Sequence, residues 1–262
     1  MTPVTTQLRH RPDRRGIRAR VAALVGALCA ALALTLAAPH PAAAAPGPDT
    51  AAAPPPQIAD RAQSARTPAA VDAVRGGQTL FTSGGRCVVA YNATDGSDYF
   101  GLMAGHCGTA GTQWYADAGL SVPVGTTHAA QFPGASWSVV RYTNPNLDYP
   151  SEVVGGTTPV RVTGAGNPSV GQSVCRFGST TGHHCGTVLA LNQTINYPEG
   201  TVTGLFRTNL CAEPGDTGGP VLAGGTALGI LVGGSGNCAV GGQTYYQPVI
   251  PVLSALGLTI GY

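Results

Sequence analysis

Thr217 sits in the stretch Cys211-Ala-Glu-Pro-Gly-Asp-Thr-Gly-Gly-Pro220. Glycines around the hydroxyl residue permit a tight turn in which the backbone N–H groups of Gly215 and Thr217 point into a cleft. Two such donors stabilise the oxyanion of an acyl-transfer reaction, with the hydroxyl beside them as nucleophile. Serine is the usual residue in a loop of this kind. Threonine keeps the oxygen, but its methyl group restricts χ1 and crowds the place of the acyl carbon. The candidate base is His106, in Ala104-Gly105-His106-Cys107-Gly108, directly after the apolar run Tyr99 to Ala104. A strand exit there would project the imidazole into a cleft. A lone histidine at such a place is more often a solvated loop residue. The nucleophile-type loop in the same chain favours the general-base role.

The elements that must carry these residues read as short strands. Arg86–Asn92, Tyr99–Ala104, Trp137–Tyr142, Gln172–Phe177, His184–Asn192, Val202–Leu210, Thr226–Val232 and Thr244–Gln247 are apolar or alternating runs bounded by turn residues. Only Val249 to Leu256 suggests a short terminal helix. Many short strands with glycine-rich turns imply an all-β barrel or sandwich over residues 74–262, as one large domain or two small packed barrels.

Residues 1–44 read as a signal peptide: six arginines from Arg9 to Arg20, an uncharged run from Val21 to Ala38, then a small-residue exit near Ala44. Residues 45–73 are rich in Ala and Pro, with too few large apolar side chains to offset ordering entropy, and read as a linker or remnant pro-segment. The protein is therefore expected to be secreted, with no membrane attachment after cleavage. From Val74 onward six Arg face eight Asp and Glu, and the chain has no Lys. A slightly acidic domain with scattered arginines argues against nucleic acid. Outside the signal peptide there are six cysteines, Cys87, Cys107, Cys175, Cys185, Cys211 and Cys238, an even set that reads as three disulfides in an exported chain. Spacing alone leaves their pairing open. No Cys-x-x-Cys pair occurs, and neither a metal nor another cofactor is expected. His183-His184 reads as a solvated turn, with a metal or pH-sensing role as the alternative.

Ala104-Gly105-His106-Cys107 with Gly215-Asp216-Thr217-Gly218-Gly219-Pro220 resembles the chymotrypsin superfamily, and within it the streptogrisins and alpha-lytic protease. The segments from Val174 to Val188, Cys211 to Leu222 and Gly233 to Cys238 carry the same resemblance, which covers Val74 to Tyr262. It implies two packed six-stranded antiparallel β-barrels with the active site between them. It implies disulfides Cys87–Cys107, Cys175–Cys185 and Cys211–Cys238, each contributing roughly 2–4 kcal/mol. It also implies an internal ion pair between Arg176 and Asp216 that shapes the nucleophile loop.

The resemblance places the orienting carboxylate of a Ser-His-Asp triad on Ser136. A neutral serine cannot stabilise the imidazolium, and neutralising this position in a working triad costs about 10⁴ in turnover. Asp148, Asp95 and Asp98 lie at the wrong places in the sequence to substitute. The family's serine that hydrogen-bonds the triad carboxylate falls on Val232, beside Gly233 and Gly234, which form the wall of the primary specificity pocket and offer an edge for strand addition by a peptide. The three changes are self-consistent, since no buried charge is left unpaired.

Three functions follow. The first is a secreted monomer with proteolysis lost or strongly weakened, binding a peptide, a protein substrate or a protease inhibitor in the inter-barrel cleft. The second is a slow endopeptidase using His106 and Thr217. The third is a disulfide-stapled surface protein. The short pre-domain segment further predicts folding without a separate pro-domain.

Overall fold

The computed structural model describes residues 71–262. The signal-peptide expectation and all but the last three residues of the linker expectation lie outside the described residues. At Val71 the chain is already part of the fold: Val71 packs on the first core, Ala73 is buried and bridges Asp148, and Asp148 N–H donates to Asp72 O at 2.9 Å.

Among the described residues sixteen strands precede one α-helix. Those of the first half are β1 (Thr79–Thr82), β2 (Gly85–Val88), β3 (Tyr91–Thr94), β4 (Tyr99–Met103), β5 (Gln113–Tyr115), β6 (Pro123–Gln131) and β7 (Trp137–Tyr142). A two-stranded link follows, β8 (Glu152–Val153) with β9 (Val160–Arg161). The second half holds β10 (Gly164–Ala165), β11 (Ser173–Gly178), β12 (Gly182–Tyr197), β13 (Gly200–Thr208), β14 (Pro220–Ala223), β15 (Thr226–Asn237) and β16 (Gly241–Pro248), then α1 (Val249–Leu256).

Each half is a curled seven-stranded sheet, and both close on six strands. In the first the order is β2-β1-β5-β6-β7-β4-β3. β2 and β3 are two parts of one bent run, parted by Val89 and Ala90, so the edges of the sheet meet in the chain itself. Sequence pattern reads that run as a single strand, because both parts are apolar and only the bend separates them. In the second half β16 pairs with both β13 and β15, closing β15-β14-β11-β12-β13-β16 into a ring. The short β10 adds to β15 in parallel as the seventh strand. Closure pairs the strands on both sides over most of their length.

Apolar clusters fill each barrel, Leu80, Trp114, Val124 and Val140 in the first, Val174, Phe206, Leu228 and Tyr246 in the second. The largest cluster belongs to both, since Tyr91, Phe100 and Leu102 share it with Leu222, Ile230 and Val249. Ala227 to Val232 is buried at every residue, which explains why β15 reads as a continuous apolar run rather than an alternating one. The Tyr91 hydroxyl crosses between the halves, 2.6 Å from Val221 O and 2.9 Å from Gly229 O, and accepts from Val221 N–H at 3.1 Å. Helix α1 buries Val249, Val252 and Leu253, an i, i+3, i+4 stripe. It ends where Gly257 takes φ 65°, the left-handed cap that glycine adopts without strain.

Candidate active site

After β4 the chain makes a single 3₁₀ turn, Gly105–Cys107, which lifts His106 to the surface. The Cys87–Cys107 disulfide ties this turn to β2. Glycine is required at 105, because a side chain there would run into the backbone of Gln131, Ser136 and Trp137. That close approach sets Ser136 directly behind the histidine turn. Ser136 is fully buried. Its Oγ accepts from Gly105 N–H at 3.1 Å, and its own N–H donates to Gln247 Oε1 at 3.0 Å. The hydroxyl is thus engaged with the backbone of the histidine turn and supplies no charge.

The His106 ring stands edge-on to Phe132, with centroids 5.7 Å apart. It makes no hydrogen bond to another described residue. Partial burial pushes its pKa below the ordinary 6.5, opposed by the negative charge of Glu199. A neutral imidazole is the form that accepts a proton, but no described group hydrogen-bonds the ring to hold the imidazolium that would result, and the Glu199 charge does not outweigh the burial.

The nucleophile-type loop is braced from both sides. Gly215 takes φ +102° and Gly218 φ +89°. Gly218 is packed against Val88 O, and its N–H donates to Leu231 O at 2.9 Å. Val88 N–H donates to Thr217 O at 3.1 Å, so the first barrel grips the loop directly. Asp216 N–H is used by Glu213 O. Among the described residues, the N–H groups of Gly215 and Thr217 have no acceptor.

Beneath the loop Arg176 and Asp216 are both fully buried, with Nη1 to Oδ2 at 3.1 Å. Thr181 Oγ1 accepts from Arg176 Nη2 at 2.6 Å and donates to Asp216 Oδ2 at 2.7 Å. The N–H groups of Thr180, Glu213 and Thr181 complete the carboxylate's partners at 2.9, 3.0 and 3.3 Å. Burial alone would raise the Asp216 pKa. The bonds from Glu213, Thr181 and Thr180 and the Arg176 charge outweigh it and hold the carboxyl below 3.8. The Cys175–Cys185 disulfide joins β11 to β12, and Cys211–Cys238 closes the loop's base.

Val232 is buried with Val202 and Leu205, against Phe132, Ile195, Tyr197 and Tyr245. The β15–β16 register shifts between Leu231 and Gly233, so Val232 sits at a bulge. Strand β14 pairs with β15 as far as Ile230, and the loop at Gly218–Gly219 takes both backbone groups of Leu231. Beyond that point β15 is paired only with β16. Its other edge at Gly233 and Gly234 is open, the geometry for strand addition.

Two grooves meet at His106. One of about 990 Å³ contains Arg86, Thr109, Tyr115, Gly215 and Thr217. The other, of about 700 Å³, contains Phe132, Tyr197, Glu199, Val232, Gly233 and Gly234. The structure therefore brings His106, Thr217, Gly215, Gly233 and Gly234 to one cleft and leaves Ser136 behind it. His183 and His184 lie elsewhere, His183 Nε2 3.3 Å from Cys185 Sγ and His184 Nε2 3.0 Å from Thr181 O. The neighbouring sulfurs are all in disulfides, so each histidine cluster offers only one free metal donor, an imidazole. Glu199 was not visible as a site residue. It occupies a Tyr-Pro-Glu-Gly turn between β12 and β13, and only the tertiary fold hangs that turn over the cleft.

Two closed barrels, a cleft between them and a braced Gly-Asp-hydroxyl-Gly-Gly loop define a chymotrypsin-fold protease domain. Residues 102–256 match the Trypsin family model. The chain belongs to the trypsin family of serine proteases, in its streptogrisin-like branch. It is 46% identical to Streptogrisin-C of Streptomyces griseus over 203 residues, 76% of this chain and 43% of that protein. It is 43% identical to Serine protease 2 of Streptomyces fradiae over 174 residues, 65% of this chain and 100% of that protein. Among solved structures, Alpha-lytic protease homolog N4 superposes with TM-score 0.67 at 54% identity, over 71% of this chain and 98% of that one. The chain thus spans less than half the length of Streptogrisin-C.

Proposed function

We propose that this protein is a secreted peptide-binding member of its family in which peptide-bond hydrolysis is lost or strongly weakened. The observation that carries the reading is the environment of His106. Ser136 Oγ is engaged with Gly105 N–H, Val232 is packed into an apolar cluster, and the imidazole has no described hydrogen-bond partner. A base that cannot hold the proton it takes is a poor base for a hindered hydroxyl. The cleft, the open edge at Gly233–Gly234 and the two free N–H groups remain suited to an extended peptide, from a protein substrate or an inhibitor, bound by one copy of the chain. The N–H groups of Gly215 and Thr217, without a described acceptor, support a second reading, a slow endopeptidase using His106 and Thr217. The experiment compares fluorophosphonate labelling and peptide turnover of the wild type with those of T217S/S136D/V232S. Turnover appearing only in the triple variant supports the first reading, and wild-type turnover near that of the triple variant overturns it.

A further inference from the structure

The two grooves that meet at His106 each hold one permanently charged residue, and the signs are opposite. Arg86 is the only such residue in the groove that holds Gly215 and Thr217. It is exposed, and its Nη2 lies 3.3 Å from the position a side-chain carbon on Gly215 would take. Its guanidinium has no hydrogen-bond or ion-pair partner among the described residues. Glu199 is the only such residue in the groove that holds Gly233 and Gly234, and it too has no described ion-pair partner. It is exposed and lines this groove together with His106. The remaining walls are apolar or neutral. Of the other arginines, Arg75, Arg141 and Arg176 are ion-paired with Glu152, Asp98 and Asp216, and Arg161 and Arg207 hydrogen-bond Tyr262 O and Gln243 Oε1.

We propose that the cleft is bipolar and selects a peptide that carries a cation on one half and a carboxylate on the other. This rests on the peptide-binding reading above. In this proposal the peptide runs with its N-terminal half in the Gly233–Gly234 groove, where Glu199 takes a basic residue. Arg86 takes a carboxylate on the C-terminal side. The planar guanidinium matches any carboxylate, whether an acidic side chain or a peptide C-terminus. Opposite charges at the two ends also fix peptide direction, because a reversed peptide places like charges together.

Protein produced from the full chain is titrated against fluorescent octapeptides by anisotropy. The peptides are Arg-first and Glu-last, Glu-first and Arg-last, uncharged, and Arg-first with a free C-terminal carboxylate in place of Glu. All but the last are C-terminally amidated. Exposed or half-buried charge pairs each change affinity by roughly two- to fivefold, so the Arg-first, Glu-last peptide is expected to bind about tenfold tighter than the uncharged one. The preference should collapse at 1 M salt, where screening acts within about 3 Å. In R86E/E199R it should pass to the reversed peptide. Either carboxylate arm carrying the preference supports the inference and identifies the source. Equal binding of charged and uncharged peptides, unmoved by the charge swap, overturns it and leaves the peptide-binding reading intact. Failure of every peptide to bind overturns both.

Discussion

Replacing Asp216 by Asn tests what holds the loop. The carboxylate is fully buried and takes bonds from Arg176, Thr181, Thr180 and Glu213. An amide of the same size presents donors to a site built of donors and leaves the Arg176 guanidinium buried without a counter-charge. Removing one partner of a buried pair costs about 3–5 kcal/mol. Against a typical domain stability of about 5–15 kcal/mol, that is a large fraction. Urea unfolding at neutral pH, followed by far-ultraviolet circular dichroism, measures the loss. The pH dependence gives a second readout. Because the Asp216 pKa is lowered on folding, its stabilisation is fully present above the unfolded value of 3.8 and is lost as pH falls through the folded one. The wild type should therefore weaken below about pH 4 more steeply than D216N. An apolar double variant, R176M/D216L, should recover much of the loss, since desolvating the pair costs about as much as its attraction returns. A D216N loss below about 1 kcal/mol, with parallel acid limbs, would refute the reasoning.

Other outcomes follow from the same geometry. The His106 imidazole should titrate below 6.5 by NMR, lower still in E199Q, and higher in S136D, because Glu199 and a restored carboxylate each favour the charged form. In G218A the new side chain would meet Val88 O at φ +89°, so equilibrium unfolding should show at least about 1–2 kcal/mol of destabilisation. Among disulfides, C211A/C238A should cost more than C175A/C185A in thermal unfolding, about 3.6 against 2.7 kcal/mol from chain entropy, because the closed loops span 27 and 10 residues of separation.

The barrels were largely legible because their strands are short, apolar and bounded by turns. Helix α1 matches the expected Val249–Leu256. The strands not read from pattern show what pattern lacks. β6 spans Pro123–Gln131 but alternates poorly, holding a bulge between Thr127 and Ala129. β14, Pro220–Ala223, was absorbed into the loop motif that precedes it. β12 runs to Tyr197, well past Asn192, because its far end is held by pairing with β13 rather than by burial. In the site, His106, Thr217 and Ser136 carried a motif signature. Glu199 and Arg86 carry none: each is one charge in a turn or strand edge, and their meaning arises only where folding sets them along the cleft.

The central claim is that a sound protease scaffold surrounds a disabled base, and single-turnover labelling of the wild type and T217S/S136D/V232S by one fluorophosphonate probe tests it most directly. Restoring the orienting carboxylate, its serine partner and the unhindered hydroxyl should raise the labelling rate by about 10³-fold or more, since the carboxylate alone is worth about 10⁴ in turnover in an intact triad. Wild-type labelling at Thr217 within tenfold of the triple variant would contradict the account.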